Sequence, residues 1–275
     1  MILSSSHFDP DLPYWQDYLP FLTRLEGTDF PSCAQLNDLL PSGLCSKGGH
    51  PIHFVASDQL AEDNYENRIY TTGQVSTRAG SWHDLFNALV WMRFPHIKVA
   101  MNALHYSAGA KHKRHHRGQL RDALTLFDEC GVIVFSDHAK LLEALAKRRW
   151  PDAFLDGRFQ SRVTLSLCGH AMLEKYLSPY KGMTAKALLI LVNTEFLALP
   201  RTELLEHFDL EIASEMLRGQ LIRKPADLSP LPLAGVPGWW PLQDQDTDRF
   251  YKDLDVFRPP ATGLVPAPIL DYRKT

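Results

Sequence analysis

Residues 81–105 read S-W-H-D-L-F-N-A-L-V-W-M-R-F-P-H-I-K-V-A-M-N-A-L-H, and this stretch decides the fold. Its first half is apolar on nearly every face, which predicts a buried helix over 81–94. Ser81 and Asp84 have the S-x-x-D spacing of a capping box at the start of that helix. Pro95 should end it, because proline lacks the amide hydrogen that a helix interior needs. A second helix is predicted over 96–106.

The direction of the chain after Pro95 decides whether the two histidines of this stretch can act together. If the chain reverses there, the two helices form an antiparallel pair, and His83 and His105 lie roughly level. Asn87 and Asn102 would also be level. If Pro95 only kinks one long helix, the two imidazoles are on the order of 33 Å apart. We favour the reversal.

A third helix, predicted over 119–128, could complete a site between the three helices. Asp122 and Glu129 are seven residues apart and therefore lie near one face, whereas Asp128 falls off that face. Two imidazoles and one or two carboxylates suit Zn, Mn or Fe(II). The predicted metal ligands are His83, His105, Asp122 and Glu129, the predicted catalytic groups are His83, His105 and Asp122, and the predicted substrate-binding residues are Arg78, Asn87, Asn102 and Arg121.

This arrangement predicts a hydrolase-like enzyme in which the histidines serve as metal ligands or as general acid and base. Arg78 or Arg121 would hold a small anionic substrate. The alternative is a non-catalytic binding or scaffold protein whose polar cluster is a structural network. In that case Asp84 is a helix cap, and Arg78 pairs with Asp122 or Asp128. The absence of an H-E-x-x-H motif leaves both interpretations open.

Composition limits the remaining classes of function. The 275 residues are 45% hydrophobic and 22% charged, with a net charge of -3, which is typical of a globular protein without a general polyanion-binding surface. No apolar run approaches the roughly 20 residues that a membrane-spanning helix needs, and the N-terminus does not resemble a signal peptide. The cysteines are scattered without C-x-x-C spacing, which favours reduced thiols in a cytoplasm and argues against a cysteine-based zinc site.

Two further motifs have simple structural interpretations. The basic run 111–117, K-H-K-R-H-H-R, could bind a nucleic acid backbone, but a solvated loop is the better interpretation of a single basic patch. Cys168 and His170 lie close in sequence after a predicted strand, where an imidazole could activate a thiol. Sequence neighbours rarely face each other productively, so we interpret Cys168 as a core residue.

The whole chain is predicted to be a mostly helical α+β protein with a few short strands. We expect one domain over 1–275, made of a helical N-terminal arm (1–50), a core (51–220) and an extended Pro- and aromatic-rich C-terminal segment (221–275). That last segment should pack on the core, because its Trp and Phe side chains are costly to leave in water. The predicted helices are 13–25 (broken at Pro20), 34–40, 137–149, 170–177 and 202–217, the predicted strands are 51–55, 132–135 and 162–167, and 184–192 fits either type.

Several blocks resemble the bacterial family called domain of unknown function 3025. They are T-G-Q-V-S-T-R-A-G-S-W-H-D-L-F-N-A (72–88), R-D-A-L-T-L-F-D-E-C-G (121–131), C-G-H-A-M-L-E-K (168–175), P-L-P-L-A-G-V-P-G-W (230–239) and F-Y-K-D-L-D-V-F-R-P (250–259). The resemblance implies a bacterial source but supplies no activity. Its family-like polar positions are Thr77, Arg78, His83, Asp84, Asn87, Asn102, His105, Arg121, Asp122, Asp128 and Glu129.

Overall fold

The computed structural model describes residues 8–9, 11–25, 30–61, 64–111, 118–155, 157–241, 249–263 and 265–273. They form the predicted α+β fold, which is rich in helix and has small sheets. The strands are β1 (His53–Ala56), β2 (Gln74–Thr77), β3 (Gly131–Ser136), β4 (Val163–Leu167), β5 (Thr184–Leu191), β6 (Ser229–Pro232) and β7 (Ile269–Asp271). The helices are α1 (Leu19–Leu25), α2 (Cys33–Asn37), α3 (Tyr65–Thr72), α4 (Trp82–Arg93), α5 (Pro95–Lys111), α6 (Gln119–Cys130), α7 (Ala139–Ala146), α8 (Trp150–Phe154), α9 (Phe159–Arg162), α10 (His170–Lys175), α11 (Thr194–Leu197) and α12 (Arg201–Leu217).

The larger sheet has the order β4-β3-β5, and both β6 and β7 pair with β5. Strand β3 is buried along its whole length, runs parallel to β5 and is antiparallel to β4. The ambiguous apolar run 184–192 is therefore a strand, because it has a partner on each side. The C-terminal segment adds β6 and β7 to this sheet, so it does more than pack across the core as an extended chain.

The smaller sheet is a parallel pair of β1 and β2, joined through α3. No element was predicted over residues 65–72, and the structure shows them as α3. Asn64 caps this helix, since its side chain accepts hydrogen bonds from the amides of Glu66 and Asn67. Gly73 ends it at a φ of 73°, where a Cβ would lie 2.0 Å from the Pro51 carbonyl oxygen. The two sheet strands thereby hold α3 in place beside α5.

A hydrogen bond between the two helices that flank Pro95 shows that the chain turns there and does not continue as one straight helix. Phe94 leaves the helical region, with φ −127° and ψ 56°, and α5 begins at the proline. The Lys98 ammonium then donates to the Asn87 side-chain oxygen at 2.9 Å. In one continuous helix, residues eleven apart would be separated by about 16 Å along the axis. Helix α5 also continues beyond the predicted end at residue 106, as far as Lys111.

A carboxylate from α12 fixes the start of α5. The amides of His96 and Ile97 donate to the two Asp209 carboxylate oxygens, each at 2.9 Å. A helix leaves its first amides without internal partners, and Pro95 at the first position has no amide hydrogen to satisfy. Asp209 is therefore a helix cap supplied by tertiary structure.

Other differences from the sequence-based expectations are local. Pro20 lies in the first turn of α1 and so does not break a helix, because a proline near a helix start costs no internal hydrogen bond. The basic run lies outside the described residues, apart from the Lys111 backbone that ends α5. No described helix has the length and apolar character needed to cross a membrane. One buried apolar cluster contains side chains from all three predicted segments.

Replacement of Asp209 by Ala should destabilise the fold. The change leaves the His96 and Ile97 amides without acceptors in a buried position, which should lower the free energy of unfolding by about 1–3 kcal/mol. Urea unfolding followed by circular dichroism measures this loss. Glu206→Ala, an exposed change on the same helix, is the matched control. Equal stability of the two variants would contradict the capping role.

Candidate functional site

A cavity of about 400 Å³ lies beside α3, α4, α6 and α10, which is within the usual size range of small-molecule sites. Its wall is strongly polar and contains three histidines and four carboxylates. The lining residues are Ser57, Tyr65, Glu66, Ser76, Arg78, His83, Asp84, Asn87, His105, Thr125, Asp128, Glu129 and His170.

Two imidazoles meet at this cavity. His83, in the first turn of α4, and His170, the first residue of α10, approach with their Nε2 atoms 3.0 Å apart. The rings meet edge to face, with centroids separated by 4.5 Å. His170 is 5% exposed, whereas the His83 side chain is 34% exposed. The pair therefore has one member fixed in the core and one member open to the cavity.

Each imidazole has a carboxylate behind it. The Nδ1 atom of His83 lies 3.1 Å from Glu174 Oε2, and the Nδ1 atom of His170 lies 3.8 Å from Asp128 Oδ1. Carboxylates attract the N–H tautomer of the nitrogen that faces them, which leaves the lone pair on the other ring nitrogen. For His83 this leaves the Nε2 lone pair facing His170. The Nε2 atom of His170 is itself 3.6 Å from Glu129, so the 3.0 Å contact between the rings is either a hydrogen bond from one Nε2 to the other or a place where a metal cation takes the position of that proton.

A third possible ligand group lies next to the pair. Glu129 Oε2 is 3.6 Å from His170 Nε2, and ligand atoms of His83, Glu129 and His170 all lie within 4.8 Å of one another. Two ligand nitrogens on a tetrahedral zinc ion, at 2.0–2.1 Å each, are separated by about 3.3 Å. The spacing of the three groups is therefore close to that of a metal shell.

A buried ammonium supports the floor of the cavity. Lys98 has a side chain only 4% exposed, and it donates to Asp128 Oδ1 at 2.6 Å and to Asn87 Oδ1 at 2.9 Å. Asn87 in turn donates to the Tyr65 hydroxyl at 2.9 Å. The Lys98 ammonium also lies 5.4 Å from the centroid of the Trp91 ring, where a cation–π attraction is expected. One cation thus joins α4, α5 and α6.

This ammonium controls the charge state of Asp128. Burial alone would raise the pKa of the Asp128 carboxyl, but Lys98 and His170 outweigh burial and hold that pKa well below its usual range. Asp128 is therefore ionised at neutral pH. An ionised Asp128 attracts the Nδ1 side of the His170 ring electrostatically, although the two atoms, 3.8 Å apart, are beyond hydrogen-bond distance.

Glu66 differs from Asp128, because its surroundings favour the neutral, protonated carboxyl. Its burial raises the pKa of the carboxyl to about 7, although a hydrogen bond from the Asn102 amide acts in the other direction. That amide donates to Glu66 Oε2 at 2.7 Å and to the Glu66 carbonyl oxygen at 2.9 Å. Asn102, 3% exposed, thus holds the glutamate against the cavity wall.

Arg78 is engaged by Asp84 at the cavity edge. Its guanidinium donates to both carboxylate oxygens, at 2.7 and 3.0 Å, and its backbone amide donates to the same carboxylate at 2.6 Å. The sequence suggested Asp122 or Asp128 as the partner of Arg78. The predicted capping box is half formed, since Ser81 accepts from the Asp84 amide while the Asp84 carboxylate binds Arg78.

The structure brings together some of the predicted site residues and separates others. Arg78, His83, Asn87, His105 and Glu129 line the cavity, and Asn102 lies behind Glu66. The imidazole that pairs with His83 is His170, while His105 forms another part of the wall.

Asp122 and Arg121 are not among the described residues that line the cavity. Asp122 shares a face with Glu129 but is seven residues earlier in α6. It therefore lies about 10 Å away, towards the N-terminal end of the helix, because each residue adds about 1.5 Å. The cavity is at the C-terminal end of α6, where Asp128 and Glu129 both reach it. Asp128 is off the face shared by Asp122 and Glu129, yet it too lines the cavity because the cavity is at the end of the helix.

Sequence reasoning missed His170, Glu66 and Lys98. Cys168 is a buried thiol, as predicted, but its neighbour His170 belongs to the imidazole pair. One signal was present, because His170 and Glu174 have the i,i+4 spacing that places a histidine and a carboxylate on one helix face. Nothing in the sequence shows that α10 packs beside α4, so the pairing of His170 with His83 could not be foreseen.

The fold and the cavity define an α+β protein with a histidine- and carboxylate-lined site at the end of a small sheet. The family described as Protein of unknown function (DUF3025) matches residues 52–261, so the chain belongs to that family. The matched segment contains every residue that lines the cavity, and the resemblance noted in the sequence is confirmed. No curated protein and no solved structure matches the chain significantly.

The raised pKa of Glu66 predicts a pH dependence of stability. An unfolded glutamate has a pKa near 4.3, so between about pH 4 and pH 7 the folded state retains a proton that the unfolded state has lost. The contribution of Glu66 is therefore fully present below about pH 4 and is lost as the pH rises through about 7.

Glu66→Gln should flatten this dependence by up to about 1.4 kcal/mol per pH unit. The measurement is urea unfolding of metal-free protein at several pH values between 4.5 and 7. Glu143→Gln, at an exposed position, should leave the slope unchanged. An identical slope in wild type and Glu66→Gln would show that Glu66 titrates normally.

Removal of the Lys98 ammonium should be costly. Lys98→Met leaves Asp128 charged and without its partner in a mostly buried position, which should lower the free energy of unfolding by about 3–5 kcal/mol. Lys147→Met removes a lysine whose pair with Glu143 is half exposed, and it should cost about 1 kcal/mol or less. Chemical denaturation compares the two. A loss in Lys98→Met no larger than in the control would exclude Lys98 as the central support.

Proposed function

We propose that this protein binds a divalent metal ion through His83, His170 and Glu129 and catalyses metal-assisted hydrolysis of a small polar substrate in the cavity. One observation carries the proposal. The two Nε2 atoms face each other at 3.0 Å while a carboxylate lies behind each ring. A metal-binding histidine normally donates its other ring N–H to a carboxylate, and His83 has such a contact with Glu174 at 3.1 Å.

The donor set fits several metals. Two imidazole nitrogens and one carboxylate oxygen suit zinc, manganese or ferrous iron, and three protein ligands leave a coordination position for water or substrate. That position would face the cavity, because His83 and Glu129 are both partly exposed there. A metal bound in this way supplies a Lewis acid that activates water and polarises a carbonyl or phosphoryl oxygen.

The surrounding side chains have definable roles in this proposal. Glu174 and Asp128 orient the two imidazoles, and Lys98 keeps Asp128 ionised so that it can do so. His105, on another part of the wall, would exchange protons with a bound substrate as a general acid or base.

We also propose a cytoplasmic location. The four cysteines, Cys33, Cys45, Cys130 and Cys168, are free thiols, and unpaired thiols are typical of reducing compartments.

The metal proposal is tested on protein purified without a polyhistidine tag. Elemental analysis, followed by titration of chelator-treated protein with Zn²⁺, Mn²⁺ and Fe²⁺, should show about one metal ion per chain. Binding should raise the melting temperature, because a ligand that binds only the folded state stabilises it. His83→Ala, His170→Ala and Glu129→Gln should each weaken binding by about 10-fold or more, while His50→Ala, at an exposed position, should not.

A structural network is the second candidate, and it too has support in the geometry. Arg78 and Asp84 satisfy each other, and Lys98 links Asp128 with Asn87. If a shared proton rather than a metal joins the imidazoles, His170→Ala will lower stability equally with and without added metal. Wild-type protein that binds none of the three metals would refute the hydrolase proposal.

A further inference from the structure

Most charged groups at the cavity already have partners of opposite charge. Arg78 is bound to Asp84, and Lys98 is bound to Asp128. Glu129 lies beside His170, where the proposed metal would also attract it. In the part of the chain that the structure describes, the remaining cavity carboxyl, Glu66, has no cation within ion-pair distance.

The hydrogen bonds of Glu66 leave one of its oxygens available. Asn102 donates to Oε2, while Oε1 has no donor among the described residues. Glu66 lines the cavity, so a ligand there can reach Oε1. A carboxylate in a desolvated position is costly unless a donor or a cation compensates it. A ligand with a positively charged N–H group would supply both a hydrogen-bond donor and a cation, and so would relieve that cost.

The charged groups around Glu66 do not supply this compensation themselves. Lys98 from α5 and Arg121 from α6 act on Glu66 only through their fields, and Asp128 from α6 acts in the opposite sense. Burial remains the largest influence on the carboxyl. On the same helix as Glu66, the Tyr65 hydroxyl accepts a hydrogen bond from Asn87.

We propose that Glu66 Oε1 binds a positively charged nitrogen group of the substrate, an amine or an amidine, within the same cavity. This inference rests on the proposed function, since it assigns the substrate class of that site. A cavity of about 400 Å³ has room for a small molecule that reaches from Glu66 towards His83 and His170. The sequence-based expectation of a small anion depended on Arg78 and Arg121. Arg78 is engaged by Asp84, and Arg121 does not line the cavity among the described residues.

The test uses three probes of equal size and different charge: benzylamine, benzyl alcohol and benzoate. Binding to chelator-treated, full-length protein is measured at pH 8, above the pKa of Glu66, by saturation-transfer NMR and calorimetry. Benzylamine should bind at least about 10-fold more tightly than the other two probes. Glu66→Gln should remove that preference, and Glu66→Asp should weaken it, because the shorter side chain withdraws the carboxylate from the cavity.

The controls separate this inference from the metal proposal. Glu143→Gln, at an exposed site, should leave benzylamine binding unchanged. His83→Ala should also bind benzylamine, since Glu66 is not a proposed metal ligand, so failure of metal binding does not remove the amine preference. Circular dichroism verifies that each variant is folded. Equal binding of benzylamine by wild type, Glu66→Gln and Glu66→Asp, or tighter binding of benzoate by wild type, would overturn the proposal.

Discussion

The buried ammonium of Lys98 is the interaction on which the site depends. It lies between Asn87 of α4 and Asp128 of α6, and it can reach both only because the chain turns at Pro95. Taking a lysine out of water is costly, so both partners are needed to hold it. Asp209 contributes by fixing the first turn of the helix that carries the lysine. The position of the cavity therefore follows from a few polar contacts in an otherwise apolar core.

A chain of contacts leads from this ammonium to the imidazole pair. Lys98 keeps Asp128 ionised, Asp128 lies behind His170, and His170 meets His83. The sheet supplies the geometry, because β4 runs antiparallel to β3 and returns the chain to the end of α6 just before α10 begins. Glu174, one turn further along α10, then faces the second imidazole. Charge and backbone topology thus act together to place two ring nitrogens side by side.

Much of the fold could be predicted from local pattern. The apolar run of α4, its end before Pro95 and the buried strand β3 all follow from periodicity and from the chemistry of proline. Strand β5 could not be distinguished from a helix, because its pairing partners lie far away in sequence. The strands β6 and β7 were hidden for the same reason. Strand β6 is rich in proline and β7 has only three residues, so neither shows a strand pattern in the sequence. Both become strands because they pair with β5.

The sequence by itself determined where the polar cluster lies, since His83, Asn87, Asn102 and Glu129 stand out against apolar helices. It also determined membership in the family, whose blocks are local. Only the tertiary structure decided that His170 is the partner of His83 and that Glu66 lines the cavity while Arg78 is bound to Asp84. The physical reason is that hydrogen bonds and ion pairs form between atoms a few ångströms apart. Helical spacing determines such distances within one helix, but packing determines them between helices.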